Sequence, residues 1–405
     1  MRGNRVSINP LLELTKSGQS IWYDGIERGL ITSGDLKRLI NEDEVRGVTS
    51  NPTIFEKAID SSDDYSDQLR EQAERKKSAS DIYEALVVRD IQMAADLLAP
   101  LFEKTDGTDG FVSLECSPLL AHDTAGTIEQ VRHLWRVVNR KNVMIKIPAT
   151  SEGFLAIEQC IYEGININIT LIFSLHNYKQ TIEAYLRGLE RRVAEHKPID
   201  RIASVASLFV SRIDTAVDKL LQERISRAGS VKEKEKLERL LGRIAIANAK
   251  LAYQIFKRLF RGERFVSLGA RGARVQRPLW ASTSAKNPAY SDIYYVEALI
   301  GPETVNTVSP PTLKAFRDHG RVRVSLEENV AEESAVLAGL EEIGIRLDDV
   351  TQQVLDEGLS LFARSFEKLM KAIQSRRDDI VSGRKTSQSA TAPEYKSVLG
   401  IDSPS

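Results

Sequence analysis

Residues 143–150 read Val-Met-Ile-Lys-Ile-Pro-Ala-Thr, which sets a lysine inside an otherwise apolar stretch. An ammonium group is costly to remove from water. Lys146 must therefore be paired, reach solvent along its aliphatic stem, or be kept partly neutral by its surroundings. A neutral amine can attack a carbonyl carbon and form a Schiff base. Groups that could serve such a reaction recur at the ends of other apolar runs. Asp24 follows Ile21-Trp22-Tyr23, Glu115 follows Phe111–Leu114, and Asn51 precedes Pro52. Asn168 and Thr170 lie within 167–173, and Ser207, Phe209 and Arg212 end the run that starts at 201. Ser282, Ser284 and Lys286 end and follow the run 278–282. Carboxylates can move protons, amides and hydroxyls can hold substrate oxygens or water, and a guanidinium can grip a phosphate in a fork.

These groups need a scaffold that turns them toward one point. Strand-like runs are expected at 21–25, 47–50, 111–116, 143–148, 167–173, 201–209, 278–282 and 304–308. Helical stretches separate them, such as the stripe Tyr83, Val87, Ile91, Ala94, Leu98 and Leu101, and the segment 241–260. Strands joined by helical crossovers pair in parallel, and eight of them close a (β/α)8 TIM barrel, whose active site lies at the carboxyl ends of the strands. An open doubly wound sheet is the alternative, but no Gly-x-Gly-x-x-Gly follows the first strand. Side-chain alternation puts Met144, Lys146 and Pro148 on one face and Val143, Ile145 and Ile147 on the other. The aliphatic set should pack on the outer helices, which turns Lys146 inward, and Asn168 and Thr170 point together by the same count.

Each candidate also has a structural alternative. Asp24 could cap a helix beginning near Ile26, Asn51 could be turn chemistry, and Glu115 could be a strand-end ion pair. Arg212 could pair with Asp214 or Asp218 on its own helix, and Ser282 with Thr283 could cap a helix. The five histidines stand apart from any Ser or Cys nucleophile and are read as structural or surface groups.

The chain of 405 residues is long enough for one large α/β domain, here expected over 1–381. Extra helices are expected between the second and third strands, over 52–110, as several short helices. A helical insertion is expected over 216–262, with a turn at 227–230 and a solvated Lys232–Lys236 face. The segment 382–405 reads as a disordered tail. With 56 basic and 57 acidic residues the formal net charge is −1, so no bulk field favours nucleic acid or an anionic membrane. Two cysteines offer neither a disulfide framework nor metal-ligand spacing. No secretory signal is expected, and no apolar run approaches the roughly 20 residues of a membrane helix, so the expected location is the cytoplasm.

Six stretches together resemble the transaldolase family: 21–24, Gly47-Val-Thr-Ser-Asn-Pro-Thr-Ile-Phe55, 144–150, 166–174, 204–212 and 277–283. The resemblance runs from about residue 9 to about residue 375 and is nearest the longer bacterial form, with its large helical insert before strand seven. It implies a (β/α)8 barrel, a Schiff base on Lys146, phosphorylated sugar substrates, and no metal or organic cofactor. It places the reaction in the pentose phosphate pathway. It casts Asp24 as the base at the C4 hydroxyl, and Glu115 with Thr170 and a water as the proton shuttle. Asn51, Asn168, Ser207 and Phe209 become substrate contacts, and Arg212 with Ser282 or Lys286 becomes the phosphate site. The sequence departs from the shorter members at Ser284, where they usually carry a basic residue; Lys286 lies two positions on. A fructose-6-phosphate aldolase using the same lysine and a non-catalytic sugar-phosphate-binding barrel are the alternatives. The sequence leaves a homo-oligomer open.

Overall fold

The computed structural model describes residues 9–382. Eight parallel strands form a closed barrel in chain order. They are β1 (Gln19–Asp24), β2 (Gly47–Thr49), β3 (Phe111–Glu115), β4 (Val143–Pro148), β5 (Ile167–Ile172), β6 (Ser204–Phe209), β7 (Arg277–Ala281) and β8 (Thr304–Val308). The eight runs expected to be strands are these eight. β1 closes the ring on β8, from Gln19 opposite Thr304 to Tyr23 opposite Val308. β6 starts later than expected because Asn166 Oδ1 accepts the Ala203 N–H at 2.9 Å, taking a donor just ahead of the strand.

Alternation along the strands sorts the core into two parts. Val143, Ile145, Ile147, Ile167, Ile169 and Leu208 pack outward against the helices in the main core. Trp22, Phe111, Met144, Val205, Leu279 and Val305 form a separate cluster filling the barrel centre. Met144 on the inner side carries Lys146 inward with it. Below this plug, at the amino-terminal face, Asp109 accepts from Arg46 Nε at 2.8 Å, Arg277 Nη2 at 2.9 Å and Ser20 Oγ at 2.8 Å. Burial alone would raise the Asp109 pKa, but the two guanidinium groups hold it below the usual carboxylate range.

The segment between β2 and β3 departs from the expected run of short helices. Pro52–Ser61 and Ser66–Glu74 are short, but Ala79–Lys104 is a single 26-residue helix opened by a Ser78/Asp81 capping box. After β6 come helices Ser211–Ile225, Val231–Glu238, Ile244–Phe260 and Glu263–Gly269. The C-terminal helix, Leu347–Val381, packs against the Pro52–Ser61, Ser66–Glu74, Ala79–Lys104 and Ser211–Ile225 helices and reaches β5. Of the expected tail, only Ser382 falls within the described residues. Among the described residues no helix is long and apolar enough to cross a membrane.

Candidate active site

The β3–β4 register sets Glu115 opposite Lys146, and the β4–β5 register sets Lys146 opposite Asn168. Lys146 is only 5 % exposed, so it does not reach out to solvent. Its Nζ donates to the Ser50 carbonyl at 2.9 Å and lies 3.5 Å from Glu115 Oε2. That carboxylate oxygen has no closer hydrogen-bond partner. Burial raises the Glu115 pKa above the usual range; Lys146 opposes the shift, and Asp24 adds to it. Glu115 therefore keeps a proton to higher pH than an exposed glutamate, beside an amine that can exchange one with it.

Asp24 caps no helix, since the next one begins at Arg28 after Glu27. Its Oδ1 instead accepts from Thr49 Oγ1 at 2.7 Å, and Thr49 Oγ1 lies 2.8 Å from Thr307 Oγ1. With Asp24 ionised, the single Thr49 proton is committed to the carboxylate, and Thr307 supplies the proton of the second contact. A hydroxyl relay thus joins β1, β2 and β8.

Asn51 is extended before Pro52, with φ −154°, and its side chain accepts from Ile54 N at 3.0 Å. It caps a helix and also lines the cavity. Asn168 does not line it. That side chain is fully buried, donates to Ser113 Oγ at 3.0 Å and accepts from Ser207 Oγ at 2.7 Å, tying β3, β5 and β6 together. Thr170 is the reverse case: it is buried, its hydroxyl has no partner, and it lines the cavity. An unpaired buried hydroxyl costs about 1–3 kcal/mol, so this one is set to receive a water or a substrate oxygen. The β5–β6 register shifts between Ile169 and Ile172, and Leu171 takes a left-handed φ of 57°. This bulge re-aims the strand at Thr170.

Two cations border the cavity beyond β6 and β7. The half-buried Arg212 lies over the Phe209 ring, 5.6 Å from its centroid, and Lys286 is exposed. Arg212 pairs with neither acid of its own helix. Asp214 accepts from Ala245 N at 2.7 Å and Tyr295 Oη at 2.9 Å, and Asp218 accepts from Gly242 N at 2.9 Å and Tyr290 Oη at 2.7 Å. Burial lowers the Arg212 pKa somewhat, against the pull of Glu357. Ser282 is left-handed, with φ 57°, and its hydroxyl lies 3.0 Å from Ser211 Oγ. Such a conformation in a non-glycine residue is strained by about 1–3 kcal/mol and typical of a site held by its surroundings. Ser284 is within hydrogen-bond reach of Ser309 and Thr312 hydroxyls, at 2.9 and 2.7 Å, so Lys286 is the cation that this loop offers.

The cavity encloses about 300 Å³. Asp24, Asn51, Lys146, Thr170, Ser207, Phe209, Arg212, Ser282 and Lys286 all line it; Glu115 stands behind Lys146. Sequence reasoning missed Thr307 and Ser309 at the end of β8, Lys57 on the Pro52–Ser61 helix, and Leu361 and Phe362 on the C-terminal helix. The hydroxyls after β8 carried the same signal as the other strand ends. The apolar pair carried none, because apolar residues at helical spacing look alike whether they face core or cavity.

A sequence profile described as transaldolase/fructose-6-phosphate aldolase matches residues 21–373. A transaldolase of Trichodesmium erythraeum is 45% identical over 370 residues, which is 91% of this chain and 97% of that protein. A transaldolase of Thiobacillus denitrificans is 45% identical over 366 residues, covering 90% of this chain and 100% of the relative. A third, from Acidothermus cellulolyticus, is 46% identical over 366 residues, 90% of this chain and 96% of its own. A barrel whose buried lysine opens on a cavity bordered by Asp24 and by cations thus has relatives matched along nearly their whole length, and the chain belongs to the transaldolase/fructose-6-phosphate aldolase family.

Proposed function

We propose that this enzyme is a transaldolase. It moves a dihydroxyacetone unit reversibly from sedoheptulose 7-phosphate to glyceraldehyde 3-phosphate, giving erythrose 4-phosphate and fructose 6-phosphate in the non-oxidative pentose phosphate pathway. The observation that carries this reading is the buried Lys146, held 2.9 Å from the Ser50 carbonyl and 3.5 Å from Glu115 where it meets the cavity. Lys146 Nζ, once deprotonated, attacks the C2 carbonyl of the donor to give a carbinolamine. Glu115, through a water on the Thr170 hydroxyl, protonates the departing hydroxide and leaves the imine. Asp24 takes the C4 hydroxyl proton as the C3–C4 bond breaks. The electron pair of that bond passes to C3 and into the enamine, and the aldehyde product leaves. The enamine then attacks the acceptor aldehyde, Asp24 returns the proton, and water hydrolyses the imine from Lys146. Asn51 and Ser207 hold substrate hydroxyls. Arg212 and Lys286 hold the phosphate, with the Ser282 loop between them.

Cys116 and Cys160 are buried and in no disulfide, which fits the reducing cytoplasm where we place the reaction. Borohydride added with fructose 6-phosphate should fix the reduced adduct on the peptide containing Lys146. Lys146→Arg keeps the charge but cannot form the imine, so it should trap nothing and lose activity by orders of magnitude. An adduct on another lysine would overturn the assignment. Rapid release of glyceraldehyde 3-phosphate from fructose 6-phosphate without an acceptor would instead indicate a free aldolase.

A further inference from the structure

The C-terminal helix carries a glycine, Gly358, well inside its span and buried. Glycine within a helix costs about 1 kcal/mol relative to alanine, so a buried one there asks for a packing reason. The reason is on its flank. A Cβ at this position would stand 3.2 Å from Leu171 Cδ2 and 3.4 Å from Arg212 Nη1. Leu171 is the left-handed residue of the β5 bulge, next to Thr170. The bare face of the helix thus faces both the cation at the cavity edge and the strand irregularity that aims the unpaired hydroxyl, with room for little more than a methyl between.

Arg212 makes no hydrogen bond or ion pair among the described residues. Its guanidinium is set by packing, with the Phe209 ring 5.6 Å away and Gly358 against Nη1. That leaves its N–H donors available to a ligand. Four residues on, about one helical turn, Phe362 lines the cavity itself. We infer that Gly358 is a positioning residue for the reaction. Its missing side chain is the slot that holds Arg212 in phosphate-binding orientation, so the C-terminal helix tunes affinity for phosphorylated sugars without touching them. This rests on the reading of Arg212 as the phosphate ligand.

The test is a double-mutant cycle on the full chain with two donors, fructose 6-phosphate and unphosphorylated dihydroxyacetone, each with unphosphorylated glyceraldehyde as the acceptor. Gly358→Ala puts its one tight contact, 3.2 Å, on Leu171 and meets Arg212 Nη1 only at an ordinary 3.4 Å, so its Tm should not fall and its KM for fructose 6-phosphate should stay within about twofold. Gly358→Leu must displace the guanidinium, and that KM should rise by about tenfold or more. A shift of Leu171 and Thr170 acts on both donors alike, so the readout is the ratio of the two KM values, which should rise about tenfold for Gly358→Leu. Placed on Arg212→Ala, Gly358→Leu should add nothing further to the fructose 6-phosphate KM. Equal losses on both donors, or a Gly358 effect that persists in the Arg212→Ala background, would overturn the positioning role. If Arg212→Ala itself does not discriminate between the donors, the phosphate reading fails, independently of Gly358. If Arg212→Ala discriminates and Gly358→Leu does not, only the inference about Gly358 fails.

Discussion

Asp214 should make the fold lose stability as pH rises toward neutrality. Its carboxyl lies on the helix that begins at Ser211, and its pKa is raised to about 7, chiefly by burial. The nearby Asp218 adds to the shift, while the Ala245 amide and the Tyr295 hydroxyl oppose it. In the unfolded chain an aspartate titrates near ~3.9, so between about pH 4 and about pH 7 the native state keeps a proton that the unfolded state has released. Stability then falls with rising pH at about 1.4 kcal/mol per unit, roughly 4 kcal/mol over the window. The contribution is complete below the unfolded pKa and gone above the folded one. Asp214→Asn imitates the protonated acid: its amide oxygen can accept from Ala245 N, and its amide nitrogen can face Tyr295 Oη. Urea midpoints of parent and variant, taken from about pH 4.5 to about pH 8, give the difference that isolates this group. Asp109, whose lowered pKa gives a slope of opposite sign at more acid pH, cancels in that difference. The variant should gain on the parent as pH rises and level off near neutrality. A flat difference would mean that the native carboxyl is already ionised at acid pH, and the burial argument would be refuted.

Asp24→Asn should still accept borohydride trapping with fructose 6-phosphate, but its cleavage rate should fall by about 10²–10⁴-fold. Loss of trapping together with cleavage would move Asp24 into imine formation or folding. Arg212→Ala should mainly raise KM for phosphorylated donors, with a smaller loss of kcat and near indifference toward dihydroxyacetone when the acceptor is unphosphorylated glyceraldehyde. Arg277→Ala removes one of two guanidinium groups from the buried Asp109, which keeps Arg46, and should destabilise the fold by about 1.5–3 kcal/mol, read as a lower Tm. Its kcat well below that Tm should be unchanged, because the pair closes the face of the barrel away from the site; a specific kcat loss would contradict that.

Much of this was legible along the chain because a barrel strand alternates with period two and ends at the site. Val143, Ile145 and Ile147 against Lys146 define an inner and an outer face without any coordinates, and seven strand ends carried polar groups. Contacts between distant segments were illegible. Alternation turns Asn168 inward, but that it is engaged by Ser113 and Ser207 depends on strands 55 and 39 residues away. Turn chemistry was the alternative to a substrate contact for Asn51; it caps a helix and also lines the cavity, because capping uses only its carbonyl end. The ion-pair alternative for Arg212 failed because Asp214 and Asp218 turn to backbone amides and tyrosines beyond residue 241, partners that helical spacing does not reveal.

The C-terminal helix also orders events during synthesis. Lys146 is made long before β8, yet the ring cannot close until Thr304–Val308 has emerged and paired with β1. The backstop of Arg212 and the Phe362 wall come later still, with contacts that reach back to the Pro52–Ser61 helix and to Thr53, 312 residues before Ser365. Contacts of such long separation form slowly, and domains mature from the amino terminus as they leave the ribosome. A nascent or truncated chain ending after β8 would therefore close its barrel around Lys146 while lacking the Phe362 wall and the Gly358 face beside Arg212, and on the proposed reading it should bind phosphorylated sugars only when the final helix docks.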